Sequence, residues 1–332
     1  LEHGPRLQAP RRASPPPEMR FPVVDLRAGG CAARLSSAFA DTGFAVLVGH
    51  GVDAEPLRQA ARRWFAQPLH EKRKVNAGAS GYGVAPFVHM DENAAQLLGD
   101  FSRPKDSVES LTFHNLGTAC GRGRLPAFGG LSTAMLAYND ALQPLRTRLA
   151  EVCEVGLGVD RGFFAAHGCQ TGGGGAEGVR LALYPDEPCA PGQMRYGEHV
   201  DSYGITLLSV DPHAPEGLEV KVGGDFFPVP FVPGSMVLNV GALLSRWTNG
   251  TWKAAIHRVV SSPGSRLSIV SGALRPAEDA LIEPMPLGES RFPPILARDF
   301  FEERVAMHRP TYLEETGHVA EDVSNEIQTY QR

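Results

Sequence analysis

The alternation of apolar and polar residues changes character partway along the chain. From Phe21 the pattern predicts a short strand, Phe21–Leu26, then a helix over Cys31–Ala40 and a strand over Phe44–Val48 ended by Gly49-His50-Gly51. A second helix is predicted from about Ala54 to Phe65, followed by a glycine-rich loop, Asn76–Val84, that contains Gly81-Tyr82-Gly83. Met135, Leu136, Leu142, Leu145 and Leu149 recur at helical spacing, so a long helix over Ser132–Val155 should bury one stripe. Pro144 falls inside it and predicts a kink or break near Asp140, because proline lacks an N–H and crowds the carbonyl four residues earlier.

Four glycines, Gly172–Gly175, predict a mobile loop, and beyond them the texture becomes β-rich. Short runs at Val179–Tyr184, Ile205–Val210, Leu218–Val222, Phe226–Val229, Met236–Val240, Ala255–Val260 and Leu267–Ala273 are punctuated by Pro and Gly. Strands at that spacing predict a mainly β fold of jelly-roll type, with the helices flanking it. One more helix is expected near Ile295–Met307. The expected organisation is a flexible leader over 1–20, one unit over 21–310 and a polar arm over 311–332. Within the unit, 21–178 is helical and mixed, and 179–276 forms the jelly-roll core.

Composition narrows function more than fold. Lys+Arg total 32 against 37 Asp+Glu, with a net charge of -5 and no long basic run, so nucleic acid is not an expected partner. Apolar stretches are broken well before membrane-spanning length, and residues 1–20 lack the apolar centre of a secretory signal. The cysteines number five, lie far apart and form no Cys-x-x-Cys pair. A disulfide framework or structural zinc site is therefore not expected, and a cytoplasmic location is. The expected partner is a small molecule, bound by a monomer or weak oligomer.

The candidate chemistry begins at His199-Val200-Asp201, just before an apolar strand. In an extended segment residues two apart share a face, so the imidazole and carboxylate would point the same way. His257 lies on a later predicted strand. Two imidazoles and one carboxylate on one side of a metal leave the other side open, which suits non-haem Fe(II) with O2 and a co-substrate. Alone, the triplet reads equally well as a strand histidine hydrogen-bonded to a nearby aspartate. Arg266 and Ser268 follow His257 by nine and eleven positions and would also share a face. A guanidinium forks onto a carboxylate and a neighbouring hydroxyl adds a further bond, as the far end of a dicarboxylate keto acid requires. The keto acid end of the same molecule would chelate the iron.

With these residues the chain resembles the 2-oxoglutarate-dependent oxygenases related to isopenicillin N synthase. The likeness runs from Phe21 to about Met307. It includes FPVVDL, Asp41-Thr42-Gly43-Phe44, Gly49-His50-Gly51, Tyr184-Pro185, HVDSYGITLL and Pro233-Gly234-Ser235. It continues through Asn239-Val240-Gly241, Trp247-Thr248-Asn249-Gly250 and HRVVSSPGSRLS. The resemblance implies a double-stranded β-helix, iron ligands at His199, Asp201 and His257, and Arg266 with Ser268 on the C5 carboxylate of 2-oxoglutarate. It adds Tyr184 as a further co-substrate hydrogen-bond partner. Many plant members carry Asn where this chain has Ala182, and Asp where it has Ala242. Gly241-Ala242 and Leu274-Arg275-Pro276 are more similar to bacterial cephalosporin-forming enzymes such as deacetoxycephalosporin C synthase, which implies an antibiotic-like substrate.

The implied reaction is hydroxylation, desaturation or ring rearrangement, with release of succinate and CO2. Arg180, Tyr82, Phe113 and Met194 are the candidate substrate contacts, with His114 beside them. Arg180 reads equally as a surface residue at a strand start. His50 and His89 lack ligand-spaced partners and are expected to be structural. Two other readings stand beside this one. One is an oxidase of the isopenicillin N synthase type that does without 2-oxoglutarate; the other is a non-catalytic binding protein, which would be expected to have lost a ligand or the arginine.

Overall fold

The computed structural model describes residues 21–77, 85–92, 104–169 and 178–306. The leader, Tyr82, Gly172–Gly175 and the arm over 311–332 lie outside the described residues. In chain order the strands are β1 (Val23–Asp25), β2 (Phe44–Val48), β3 (Phe87–Val88), β4 (Glu109–Phe113), β5 (Val179–Tyr184) and β6 (Tyr196–His199). They continue with β7 (Ile205–Ser209), β8 (Leu218–Val222), β9 (Asp225–Pro228), β10 (Met236–Val240), β11 (His257–Val259) and β12 (Arg266–Ala273). Among the described residues, eight of these form one sheet in the order β1-β2-β10-β7-β12-β5-β4-β3. Four form a second sheet in the order β6-β11-β8-β9. The expected fold, mainly β with flanking helices, is the one observed.

The phase of each strand in the main sheet decides which core it serves, because successive side chains point to opposite faces. Ala45 and Leu47 of β2, Ile205 and Leu207 of β7, Leu238 of β10, and Leu267 and Ile269 of β12 pack under the helices. That layer includes the helices Cys31–Asp41, Glu55–Phe65 and Leu131–Leu157. The alternate residues Phe44, Val46, Leu208, Val237, Ala182 and Tyr184 form a second core that faces Leu218, Val220 and Val259 of the smaller sheet. His199, Asp201, His257, Arg266 and Ser268 line a cavity in this inter-sheet layer. Phe44 is set in phase by Gly43, whose φ of +75° ends the preceding helix and whose N–H returns to the Ala38 carbonyl at 3.1 Å.

Several boundaries differ from the sequence expectation. The helix Leu131–Leu157 runs unbroken through Pro144. Pro144 is on its exposed side, while Leu142, Leu145 and Leu149 stay buried and hold both halves against the core. Arg146 adds hydrogen bonds to the Gly272 carbonyl at 3.0 Å and to Ser271 Oγ at 2.6 Å. The run Ala255–Val260 contributes only β11, His257–Val259, and Ile295–Leu296 is a strand paired with Leu281–Ile282, so the last helix begins at Ala297. The short strands β3, β4 and β6 were not evident from the hydropathy pattern.

Leu207, fully buried at the centre of β7, faces the helices. Leu207→Ala is expected to cost about 2–5 kcal/mol through lost burial and a residual cavity. Chemical denaturation measures this, and divalent-metal affinity of the folded variant should be unchanged because the site lies on the opposite face. An unchanged denaturation midpoint would contradict this packing.

Candidate metal and co-substrate site

Three side chains converge in the layer between the two sheets. His199 ends β6 and His257 begins β11, and the two are cross-strand partners with ring centroids 4.1 Å apart. Asp201 lies beyond the end of β6, in a segment that is not a strand. Its Oδ1 is nonetheless 3.4 Å from His199 Nε2 and 3.7 Å from His257 Nε2. One ligand atom from each of the three lies within 4.8 Å of the others, the only such His/Cys/Asp/Glu group among the described residues.

The ring orientations follow from the hydrogen bonds. His199 Nδ1 meets the Gly197 carbonyl at 2.9 Å and His257 Nδ1 meets the Ala255 carbonyl at 3.1 Å. A carbonyl only accepts, so both rings donate from Nδ1, which turns Nε2 of each toward Asp201. Burial, and then the neighbouring His199, push the His257 imidazole down to about 4, which keeps it neutral. Burial would raise the Asp201 carboxyl, but His257, His199 and the Asn239 amide together hold it well below the usual carboxylate range. Asp201 Oδ2 accepts from Thr206 Oγ1 at 2.5 Å and from Asn239 Nδ2 at 2.7 Å. Thr206 and Asn239 are themselves cross-strand partners on β7 and β10. Two imidazoles with Nε2 turned inward and an ionised carboxylate with one oxygen turned the same way form a donor set that fits a divalent transition metal with open positions.

The same cavity, about 60 Å³ in volume, is also lined by Tyr184, Arg180, Arg266 and Ser268. Arg266 has no exposed surface; its Nε donates to Ser268 Oγ at 3.1 Å and its Nη1 to the Glu216 carbonyl at 2.7 Å. Among the described residues no carboxylate lies within ion-pair distance of it. A buried guanidinium paired only with neutral groups is costly unless an anion completes it, so the arrangement fits a carboxylate ligand. Tyr184 is the cross-strand partner of Arg266, and its ring centroid is 5.7 Å from the guanidinium carbon. Burial pushes the Tyr184 phenol up, so it stays protonated and able to donate.

The proposed substrate contacts divide. Arg180 lines the cavity, donates Nη1 to Tyr196 Oη at 2.9 Å and lies 4.7 Å over that ring. Phe113 does not line it: Phe113 is paired with Val179 and buried under the helices, on the opposite face of the sheet from Arg180. Met194 is half-buried; its carbonyl accepts from the Ser107 N–H at 2.9 Å, and its side chain is not among the lining groups. His114 is likewise outside the lining, and burial, followed by Arg275, lowers its imidazole to about 4. His50 is structural, accepting at Nδ1 from Val52 and facing the Gly234 carbonyl at Nε2.

Tyr196, Thr206, Asn239 and Phe44 line the cavity but were not singled out from the residue pattern. Tyr196 was hidden by a bulge. His257 pairs with His199 but Val259 pairs with Tyr196, so β6 carries one extra residue. That residue brings Tyr196 edge-on to His199, with centroids 4.5 Å apart, where simple alternation would separate them.

Comparison with known proteins agrees with this geometry. Residues 176–272 match the 2OG-Fe(II) oxygenase superfamily, and residues 21–119 match the non-haem dioxygenase in morphine synthesis N-terminal family. Gibberellin 20 oxidase 2 of Oryza sativa subsp. indica is 31% identical over 290 residues, covering 81% of this chain and 71% of that protein. Oxoglutarate-dependent flavonoid 7-O-demethylase 1 of Ocimum basilicum is 30% identical over 308 residues, covering 86% and 78%. The solved structure of the rice dioxygenase for auxin oxidation is similar with a TM-score of 0.69 at 25% identity, covering 87% of this chain and 96% of that one. The chain belongs to the 2OG-Fe(II) oxygenase superfamily. It is a 2-oxoglutarate-dependent dioxygenase, with Fe(II) as its metal.

Asn239 orients Asp201 without facing the imidazoles itself. Asn239→Ala should therefore lower Fe(II) affinity by about 10–100-fold, as is usual when a ligand loses its hydrogen-bonded support. Anaerobic metal titration reads this directly, and wild-type affinity would show that the amide has no part in the site.

Proposed function

We propose that His199, Asp201 and His257 hold the Fe(II), and that Arg266, Ser268 and Tyr184 bind the C5 carboxylate of 2-oxoglutarate. The observation that carries this reading is one cavity that holds both the converging triad and a buried guanidinium with no acidic partner among the described residues. The 21–310 segment then acts as one catalytic unit on a small molecule.

With the metal bound, O2 and 2-oxoglutarate supply the oxidising power for attack on a substrate C–H bond, and the co-substrate leaves as succinate and CO2. The residues of this chain orient and shield that chemistry. The carbonyl bonds at Gly197 and Ala255 fix both imidazole planes, and Thr206 with Asn239 fixes the carboxylate. Arg266 sets the direction of the co-substrate through a charge-assisted fork. Phe44, Leu208, Leu218, Val259 and Val270 form apolar walls that keep water from the reacting groups.

Arg180 offers a second positive group in the same cavity, so the substrate is an anion, with a carboxylate as the fitting group. Asp201 occupies the ligand position that chloride would need in halogenation, which leaves hydroxylation, desaturation or ring rearrangement. The finer reading is an antibiotic-like substrate of specialised metabolism. It is supported by Ala182, Ala242 and the likeness of Leu274-Arg275-Pro276 to bacterial cephalosporin-forming enzymes.

Screening anionic metabolites for substrate-stimulated succinate formation tests the reading. Succinate is expected to form in step with 2-oxoglutarate consumption. Arg266→Gln should weaken 2-oxoglutarate on the order of 100-fold, since removing one member of a buried charged pair costs about 2–5 kcal/mol. Substrate oxidation that proceeds without 2-oxoglutarate would instead identify an oxidase of the isopenicillin N synthase type.

A further inference from the structure

The backbone between Arg266 and Ser268 is held on one side by side chains, where a neighbouring strand would be expected. β12 pairs with β7 from Ile269 opposite Ser209 onward, and the same register carried two residues further would set Asp211 across from Leu267. β7 stops short of that point. Asp211 precedes Pro212, which has no N–H to continue a ladder, and the chain turns there with Asp211 Oδ1 accepting from the His213 N–H at 3.1 Å.

Leu267 therefore presents an N–H and a carbonyl to a strand that has left, and side chains replace it. Asp211 Oδ2 accepts the Leu267 N–H at 2.8 Å, and Arg58 of the helix Glu55–Phe65 donates Nη1 to the Leu267 carbonyl. Arg58 Nη2 also donates to Ser209 Oγ at 3.0 Å and to the Val210 carbonyl at 3.1 Å. Arg62 donates Nη2 to Asp211 Oδ2 and to the Ser265 carbonyl, the latter at 3.3 Å. Asp211 has no exposed surface and the Arg58 side chain is 3% exposed, so these bonds have little competition from water. Charge points the same way: burial, Arg195 and Arg58 oppose the positive charge of Arg266, and Tyr184 and Asp211 support it.

We propose that Asp211 is a positioning residue for 2-oxoglutarate, which clamps the Leu267 peptide so that Arg266 and Ser268 face one carboxylate together. This rests on the reading of Arg266 and Ser268 as the co-substrate anchor. Asp211 is not among the cavity-lining residues, so its effect passes through β12. The metal triad lies on other elements, and loss of the clamp should leave it intact.

The test is an anaerobic titration of 2-oxoglutarate into the Fe(II)-loaded full chain, followed by the visible charge-transfer band, beside a separate Fe(II) titration. Asp211→Asn is expected to weaken 2-oxoglutarate about tenfold, the effect of losing a charge-assisted hydrogen bond, with Fe(II) affinity unchanged. In succinate formation the KM for 2-oxoglutarate should rise by the same factor with kcat little altered. Wild-type 2-oxoglutarate affinity, or an equal loss of Fe(II) affinity, would overturn the proposal. If Asp211→Asn does not fold, Arg62→Gln takes its place, with about a threefold weakening expected from the loss of its partly exposed bond to Asp211; unchanged affinity there also overturns it. A wild-type protein that binds Fe(II) but gives no band with 2-oxoglutarate overturns the anchor reading itself, and the inference with it.

Discussion

The carboxylate of Asp201 is held largely away from water, and the way its two oxygens are divided shapes the rest of the molecule. Oδ2 is taken up by Thr206 and Asn239, from adjacent strands of the main sheet. Oδ1 is left facing His199 and His257, from adjacent strands of the smaller sheet. One side chain thus joins the two sheets and defines where they approach. An isolated carboxylate in this layer would be pushed toward protonation, whereas four hydrogen-bonding or charged partners keep it ionised. The imidazoles, turned by carbonyl bonds, present Nε2 to the same point. The same groups that stabilise the buried charge are therefore the groups a divalent metal needs.

Register extends this constraint across the sheet. On β12, Arg266, Ser268 and Val270 face the cavity while Leu267 and Ile269 face the helices. Their partners on β5 are Tyr184, Ala182 and Arg180 for the first set. A slip of one residue would exchange a row of leucine and isoleucine for a row of arginine and serine. The helix-facing core thereby specifies the positions of Arg266 and Ser268, although its residues do not line the cavity. Ala182 sits directly across from Ser268, where a small side chain keeps the floor of the cavity open. Ala242 reaches the Asp201 segment through its backbone, donating its N–H to the Asp201 carbonyl at 2.7 Å.

Much of this was legible in the sequence because it depends on local alternation. The limits of β2, β5, β8 and β10 coincide with the apolar runs, and the β-rich segment folds as expected. The triad was legible as spacing, yet for a reason that is only half right: His199 lies on a strand and Asp201 does not. What could not be read depends on departures from regular pairing. The extra residue in β6 places Tyr196 beside His199, and parity puts Phe113 on the helix side of β4. Pro144 looked like a helix breaker because tertiary packing around it is invisible to a local rule. Asp211 looked like an ordinary turn residue, and only the missing ladder at Leu267 gives it a further task. The family was readable from motifs that carry ligands. Substrate choice was less so, since similar proteins include plant enzymes named for different reactions.

The central claim is that one inter-sheet cavity holds the metal and orients the co-substrate through named side chains. A crystal structure grown without oxygen in the presence of Fe(II) and 2-oxoglutarate tests it most directly. The account predicts iron bonded to His199 Nε2, Asp201 Oδ1 and His257 Nε2, with the C5 carboxylate on Arg266 and Ser268. Iron held by other residues, or that carboxylate seated on Arg180, would contradict it.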